Sequence, residues 1–407
     1  MDRRVFFTVL VAALGYFVDV YDLIIFSVVR VQSLQDLGYS GDLLTQYGVL
    51  LLNLQLGGML IGGVLWGMLG DKRGRLSILF GSIVLYSLAN IANAFVINIE
   101  QYAICRFIAG IGLAGEIGAG ITLVAELLPK DKRGLGAMLV ATLGVIGGVV
   151  AALTGSELDW KVAYIIGGCM GLTLLALRVA AAESGLFAQL VHDHSVRRGD
   201  LRLLFGHMPC LKRFAMCTLM GMPIWFMLGL IVTFSPEIGS ALGIAEPITT
   251  ASGILWFYSG MIVGDLASGI TSQLLRSRRK ALALFIVCGM AGMLAMLNLP
   301  EGWRTAQVYY ALCGLTGIFS GYWAIFLVTA SESFGTNLRA TVTTSVPNLV
   351  RGGAILLSSL FLALKPALGV TGSLQLIGAT TFLIALYAVY TLRETFSIDL
   401  DYTESAA

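Results

Sequence analysis

The sequence predicts an all-α membrane protein with twelve transmembrane helices in two pseudo-symmetric six-helix bundles. Three observations carry this expectation. Hydrophobic residues fill 57% of the 407 positions and charged residues only 12%, against about a quarter charged in ordinary soluble domains. The apolar residues arrive in runs of about 20, the length at which an α-helix crosses a hydrocarbon layer. A single long polar stretch then divides those runs into two sets of six.

Taken in order, the predicted spans are 5–29, 47–69, 76–97, 102–128, 134–153 and 162–180, then 214–235, 249–275, 281–299, 306–334, 340–364 and 373–392. The first is too long for a signal-peptide core and has no small-residue cleavage pattern, so it is read as a retained helix. The fourth and tenth exceed a bilayer crossing, which predicts tilt or extension beyond the membrane. The expected organisation is an N-terminal bundle over 1–180, a linker over 181–213, a C-terminal bundle over 214–392 and a tail over 393–407.

Lys and Arg placement orients the chain. With a cytoplasmic N-terminus, most basic residues fall in inside loops, and only Arg30, Lys161, Arg304 and Lys365 fall outside. The positive-inside rule then places both termini, the linker and the tail in the cytoplasm. The expected setting is a bacterial inner membrane. A formal net charge of +2 gives no sign of a nucleic-acid partner; the expected partners are the lipid bilayer and a small molecule. Six cysteines without a CxxC pair, and His192, His194 and His207 gathered in the polar stretch, suggest neither a metal site nor a disulfide scaffold.

The halves repeat each other. Glu126 precedes Arg133 by seven residues at the junction of spans four and five, and Glu332 precedes Arg339 by seven at the junction of spans ten and eleven. A weaker echo links Gly67–Asp71 to Gly269–Gln273. Such an offset marks a parallel duplication, whose substrate site is expected between the halves at mid-membrane.

Charges inside the spans are the candidate functional residues. An ionised carboxylate at the bilayer centre costs about 3 kcal/mol on insertion scales, so a helix carrying two usually lines a polar cavity. Asp19 and Asp22 lie three residues apart in span one, on one helical face, which suits a shared proton or cation site. Arg106 and Glu116 share span four but stand about 15 Å apart along its axis, too far to pair with each other. Asp19 or Asp22 is the expected partner of Arg106, an ion pair able to couple protonation to movement, or else a bridge that only fixes packing. Glu116, in a glycine-rich run, is a second candidate proton carrier.

In the second half, Thr344, Asn348 and Arg351 form one stripe of span eleven. A guanidinium flanked by amide and hydroxyl groups suits a carboxylate or phosphate ligand. The competing reading pairs Arg351 with Asp265 of span eight as a silent bridge. Tyr21, Asn53, Gln55, Trp225, Tyr258, Tyr322 and Trp323 are further candidate cavity liners, although aromatic residues in spans often only pack or anchor.

Three motifs carry a resemblance. Gly67-Met68-Leu69-Gly70-Asp71-Lys72-Arg73-Gly74-Arg75 resembles the signature loop of the major facilitator superfamily, and Arg106-Phe107-Ile108-Ala109-Gly110-Ile111-Gly112 resembles its arginine motif. Gly115-Glu116, with Glu126-Leu127-Leu128-Pro129 and Arg133-Gly134, looks like the branch of sugar porters and metabolite:proton symporters. The resemblance implies the major facilitator fold, alternating access and a monomer. It also implies a gating cluster of Gly67, Asp71, Gly74, Arg75, Glu126 and Arg133, repeated in Glu332 and Arg339. Asp71 would latch onto the N-terminus of span eleven, where exposed amides favour an anion.

Departures narrow the substrate. Gly144-Val145-Ile146-Gly147-Gly148 lacks the Gly-Pro pair of drug antiporters, and Met222-Pro223-Ile224-Trp225 lacks the glutamine-rich signature of sugar porters. The leading expectation is therefore proton-coupled symport of a small organic anion or zwitterion, with no cofactor and with sodium left open as the driving ion. Export of a drug, metabolite or siderophore and a ligand-binding sensor without transport are the alternatives. An enzyme is not expected, because no nucleophile set, metal-ligand cluster or phosphate loop is visible.

Overall fold

The computed structural model describes residues 3–73, 75–115, 133–183 and 206–396. Regular structure among them is helical throughout, and the chain divides into two compact units, Met1–Val196 and Arg197–Ala407.

The first unit holds α1 (Arg3–Asp36), α2 (Asp42–Arg73), α3 (Arg75–Asn93), α4 (Ile99–Leu113), α5 (Arg133–Glu157) and α6 (Trp160–Glu183). α1 packs on α5 and α6, α2 on α4, and α3 on α4 and α6. α1 runs well past the expected 5–29 span because no helix breaker intervenes before Gly38, whose φ of 88° closes the helix in a region that favours glycine. Arg30 is therefore not an outside-loop residue as the loop count had it: it lies within α1 and is fully buried. The Asp71 segment also differs from a loop, since α2 continues to Arg73 and α3 begins at Arg75.

The second unit holds α7 (Met208–Phe226), which passes into a π-helical turn at Met227–Val232, then α8 (Ser235–Ala241), α9 (Thr250–Leu274), α10 (Arg278–Leu297), α11 (Ala306–Ser320), α12 (Trp323–Glu332) and α13 (Thr336–Thr391). α13 is two helices joined at Gly369, where φ is 67°, matching the eleventh and twelfth predicted spans. Hydroxyl caps open α9, α10 and α11: Thr249, Ser277 and Thr305 accept from Ser252, Lys280 and Val308 amides. Seven segments of the described residues are long and apolar enough to cross a membrane by themselves, including α6, α9, α10 and the joined α11–α12 stretch Ala306–Glu332.

The long tenth span is not one tilted helix. It breaks between Ser320 and Trp323 because Gly321 lies so close to α9 that a Cβ there would overlap Gly264 and the Asp265 amide. Ser268 donates to the Gly321 carbonyl at 2.8 Å, and Asp265 Oδ1 accepts from the Ala324 amide at 3.3 Å at the start of α12. Asp265 thus serves a helix N-terminus, where a carboxylate is favoured.

Glycines make the internal repeat visible within each unit. In the first, Gly58 and Gly62 of α2 lie against Phe107 and Ile111 of α4, and Gly110 lies against the Gln55 backbone. In the second, Gly260 and Gly264 of α9 lie against Gly314 and Ile318 of α11, and Gly317 lies against the Phe257 backbone. These are the same crossing at a constant sequence offset on each helix, a small-residue contact that lets two backbones approach closely.

Residues just after α13 are tied to α10. Glu394 accepts from the Arg278 amide at 2.8 Å, the Arg279 amide at 3.3 Å and the Ser277 hydroxyl. Burial opposes ionisation of Glu394, but the Ser277 hydroxyl and the amides of Phe396, Arg278 and Arg279 outweigh it and hold the carboxyl below its usual range. A depressed folded pKa contributes stability above the unfolded value, and that contribution fades as pH falls through the folded one. Glu394→Ala should cost about 1–2 kcal/mol at neutral pH, the scale of a helix cap. The gap between the melting curves of wild type and the purified variant should begin to narrow below about pH 4, the unfolded carboxylate range, and close only once the pH has fallen through the depressed folded value.

Candidate functional site

In the first unit the embedded charges converge on one buried polar cluster. Asp19 and Asp22 of α1 and Arg106 of α4 are each 0% exposed. Asp22 has Arg106, Asp19 and Asn90 as its electrostatic neighbours, so Arg106 and the aspartate pair share one cluster. Gly167 of α6 makes room for that carboxylate, since a Cβ there would overlap Asp22 Oδ1.

Arg106 donates to Asn90 Oδ1 at 3.5 Å, and its guanidinium carbon lies 5.1 Å from the Phe26 ring centre and 5.5 Å from that of Tyr164. Such ring contacts are worth about 2 kcal/mol when desolvated. They hold the cation in an apolar layer without neutralising it, which leaves its charge available to Asp22 or to a ligand.

The other first-unit candidates divide. Tyr21 donates its hydroxyl to the Ala163 carbonyl at 3.0 Å, which ties it to α6. Gln55 is fully buried on α2. Asn53, two residues earlier on α2, is half-buried.

In the second unit, Arg351 and Asn348 of α13 are buried at 2% and 5% exposure. The Arg351 guanidinium carbon lies 5.7 Å from the Trp225 ring centre of α7. Trp225 and Tyr258 are buried as well, and Trp323 is stacked at a tilt on Phe326 with 5.0 Å between centres. Tyr322 donates to the Met220 carbonyl at 3.1 Å, so its hydroxyl braces α7.

Of the gating candidates, Glu332 meets Arg278 of α10, with Nη2 to Oε1 at 3.4 Å. In the sequence Arg278 counts only as one of the inside-loop basic residues. Gly74, Glu116 and Glu126 lie outside the described residues, as do the side chains of Asp71, Arg75, Arg133 and Arg339 and the surroundings of Gly67. The sequence does not single out Asn90, Tyr102 and Tyr164. Asn90 and Asn93, three apart in an apolar span, were a readable polar stripe; Tyr102 and Tyr164 look like ordinary interface aromatics until their hydroxyls are seen to meet.

A twelve-helix membrane fold, internally repeated and carrying buried charges in its first, fourth and eleventh spans, is the build of a small-molecule transporter. The chain belongs to the Major Facilitator Superfamily, whose family model matches residues 6–359. It is 26% identical to the gentisate transporter of Corynebacterium glutamicum over 93% of this chain and 86% of that one. It is 27% identical to the 3-(3-hydroxy-phenyl)propionate transporter of Escherichia coli over 82% of each chain. In fold it is similar to the xylose transporter XylE of E. coli in its inward-open conformation, with a TM-score of 0.74, 17% identity and 98% of each chain covered.

Proposed function

We propose that this protein is a proton-coupled symporter of small organic anions, with aromatic carboxylates as the substrate class. The observation that carries the anion is Arg351: a buried guanidinium set against the Trp225 ring, with Asn348 one turn away on the same helix. A cation beside an aromatic face and an amide offers a carboxylate its charge and a ring its stacking partner. The names of the two full-length relatives, transporters of gentisate and of a hydroxyphenyl propionate, are consistent with that chemistry. Asp22, coupled to Asp19 and Arg106, is the proton carrier, and the pair shares its protons. Alternating access moves both ligands, with both termini in the cytoplasm as the basic loops imply.

Thermal stabilisation of the purified protein tests the anion site. Benzoate, gentisate and nicotinate should raise the melting temperature, whereas xylose and organic cations should not. A ligand at a hundred times its Kd adds about 2.7 kcal/mol. The shift should vanish in Arg351→Ala and shrink in Arg351→Lys, which keeps the charge but not the fork. Equal stabilisation of wild type and Arg351→Ala would move the anion elsewhere.

A further inference from the structure

The first unit contains a line of three buried hydroxyl groups that joins α1, α4 and α6. Ser33 Oγ lies 3.1 Å from Tyr102 Oη, and Tyr102 Oη lies 2.8 Å from Tyr164 Oη. All three residues are fully buried or nearly so, and they come from three different helices, α1, α4 and α6. Each sits at the end of its helix nearest the α1–α2 connection. Ser33 is one turn from exposed Asp36, which accepts from Trp160 Nε1 at 2.7 Å. At the other end, Tyr164 stands one turn from Gly167, the residue whose bare Cα faces Asp22 Oδ1. Tyr164 also carries the Arg106 guanidinium over its ring.

We propose that Ser33, Tyr102 and Tyr164 form a proton relay that delivers protons from the α1–α2 face of the first unit to the Asp22 carboxylate. The proposal rests on the proton-coupled reading above. A hydroxyl both accepts and donates, so once the Ser33 hydroxyl turns from the Arg30 carbonyl, to which it donates at 3.2 Å, a proton arriving from water on Ser33 Oγ displaces the Ser33 proton toward Tyr102, 3.1 Å away. The Tyr102 proton moves to Tyr164, and the Tyr164 proton moves to Asp22, directly after a side-chain rotation or through one water. Each hydroxyl ends neutral, having exchanged one O–H bond for another, and the carboxylate ends as the acid. Rotation of the three hydroxyls resets the line.

The neighbouring charges fit this direction of flow. α1 presents Asp19, Tyr21, Asp22 and Arg30, α4 presents Cys105 and Arg106, and Asp36 and Lys161 stand at the mouth. Arg106 disfavours a resting excess proton on Tyr164, so a proton passes that point only when a carboxylate beyond it takes it up. α2 and α3 contribute the neutral Gln55 and Asn90.

The test needs no substrate. The protein, reconstituted in vesicles, is acidified on the α1–α2 side, and the rise of a protonated-carboxyl stretch is followed by time-resolved infrared spectroscopy. The band is assigned to Asp22 by its loss in Asp22→Asn. Tyr102→Phe and Tyr164→Phe keep the rings and remove only the hydroxyls. Each should slow the rise on the order of tenfold with its amplitude retained, the effect of adding about 1.4 kcal/mol to the barrier. An unchanged rate in both variants would overturn the relay. Should either fail to fold, Ser33→Ala carries the same expectation, and an unchanged rate there would overturn it equally. A wild-type protein without an Asp22 band would strike the proton-coupled reading itself.

Discussion

Asp22→Asn is expected to abolish accumulation against a gradient while leaving exchange intact. The asparagine has the shape of the protonated acid, fits the same space beside Gly167, and cannot release a proton. A loaded carrier that reorients with its proton in place still swaps labelled for unlabelled substrate, but it cannot complete the empty return. For one proton per monovalent anion, the cycle moves no net charge, so only the pH difference drives it. Each pH unit is worth about 1.4 kcal/mol, so a two-unit gradient sustains roughly a hundredfold accumulation at most. Wild type should approach that limit in proteoliposomes and Asp22→Asn should stay at equilibration. A variant that still accumulates substrate would transfer the proton to Asp19 or to Glu116.

Gly110→Leu and Gly317→Leu should each destabilise the protein by about 3 kcal/mol or more, the upper range for forcing volume into a packed contact. At both positions an added Cβ would overlap a backbone carbonyl of the facing helix, that of Gln55 or of Phe257. A backbone cannot step aside as a side chain can, so the helix pair must separate along its length. Because the two crossings are repeats of one design, the two variants should lose similar amounts. Gly57→Ala is the control: nothing lies within 4 Å of its added Cβ. Melting temperatures of purified variants in detergent give the comparison, and an intact Gly110→Leu would remove the crossing from the fold's foundations.

Much of the fold was legible because membrane helices announce themselves by length. The twelve apolar runs correspond to helices wherever the structure describes them, with α13 covering the last two and α11 and α12 sharing the tenth. What length could not show was local. The break at Gly321 depends on how closely that glycine approaches Gly264, a contact between residues distant in sequence. The continuation of α1 past Arg30 was hidden by a rule that treats polar residues as loop residues, whereas a buried arginine keeps a helix going if the surrounding helices give it room.

The site was legible as a set of charges but not as an arrangement. Asp19, Asp22, Arg106 and Arg351 stood out because each is costly in a membrane. The glycine skeleton is duplicated between the halves, and these charges are not: the second half has Cys313, a buried thiol one residue before Gly314, at the place Arg106 holds beside Phe107. The duplicated glycines form the close helix crossings of both units, and the unduplicated charges are the residues to which the proposed chemistry is assigned. The hydroxyl line through Tyr102 and Tyr164 was invisible, since tyrosines in spans signal packing far more often than function, and nothing in their spacing along the chain places the two hydroxyls 2.8 Å apart.

The most direct test of the account is uptake of radiolabelled gentisate or benzoate into proteoliposomes under an imposed inward proton gradient, with and without a protonophore. A proton-coupled symporter shows transient accumulation above equilibrium that a protonophore abolishes and that sodium does not restore. Uptake that only equilibrates, or that persists unchanged when the proton gradient is collapsed, would contradict it.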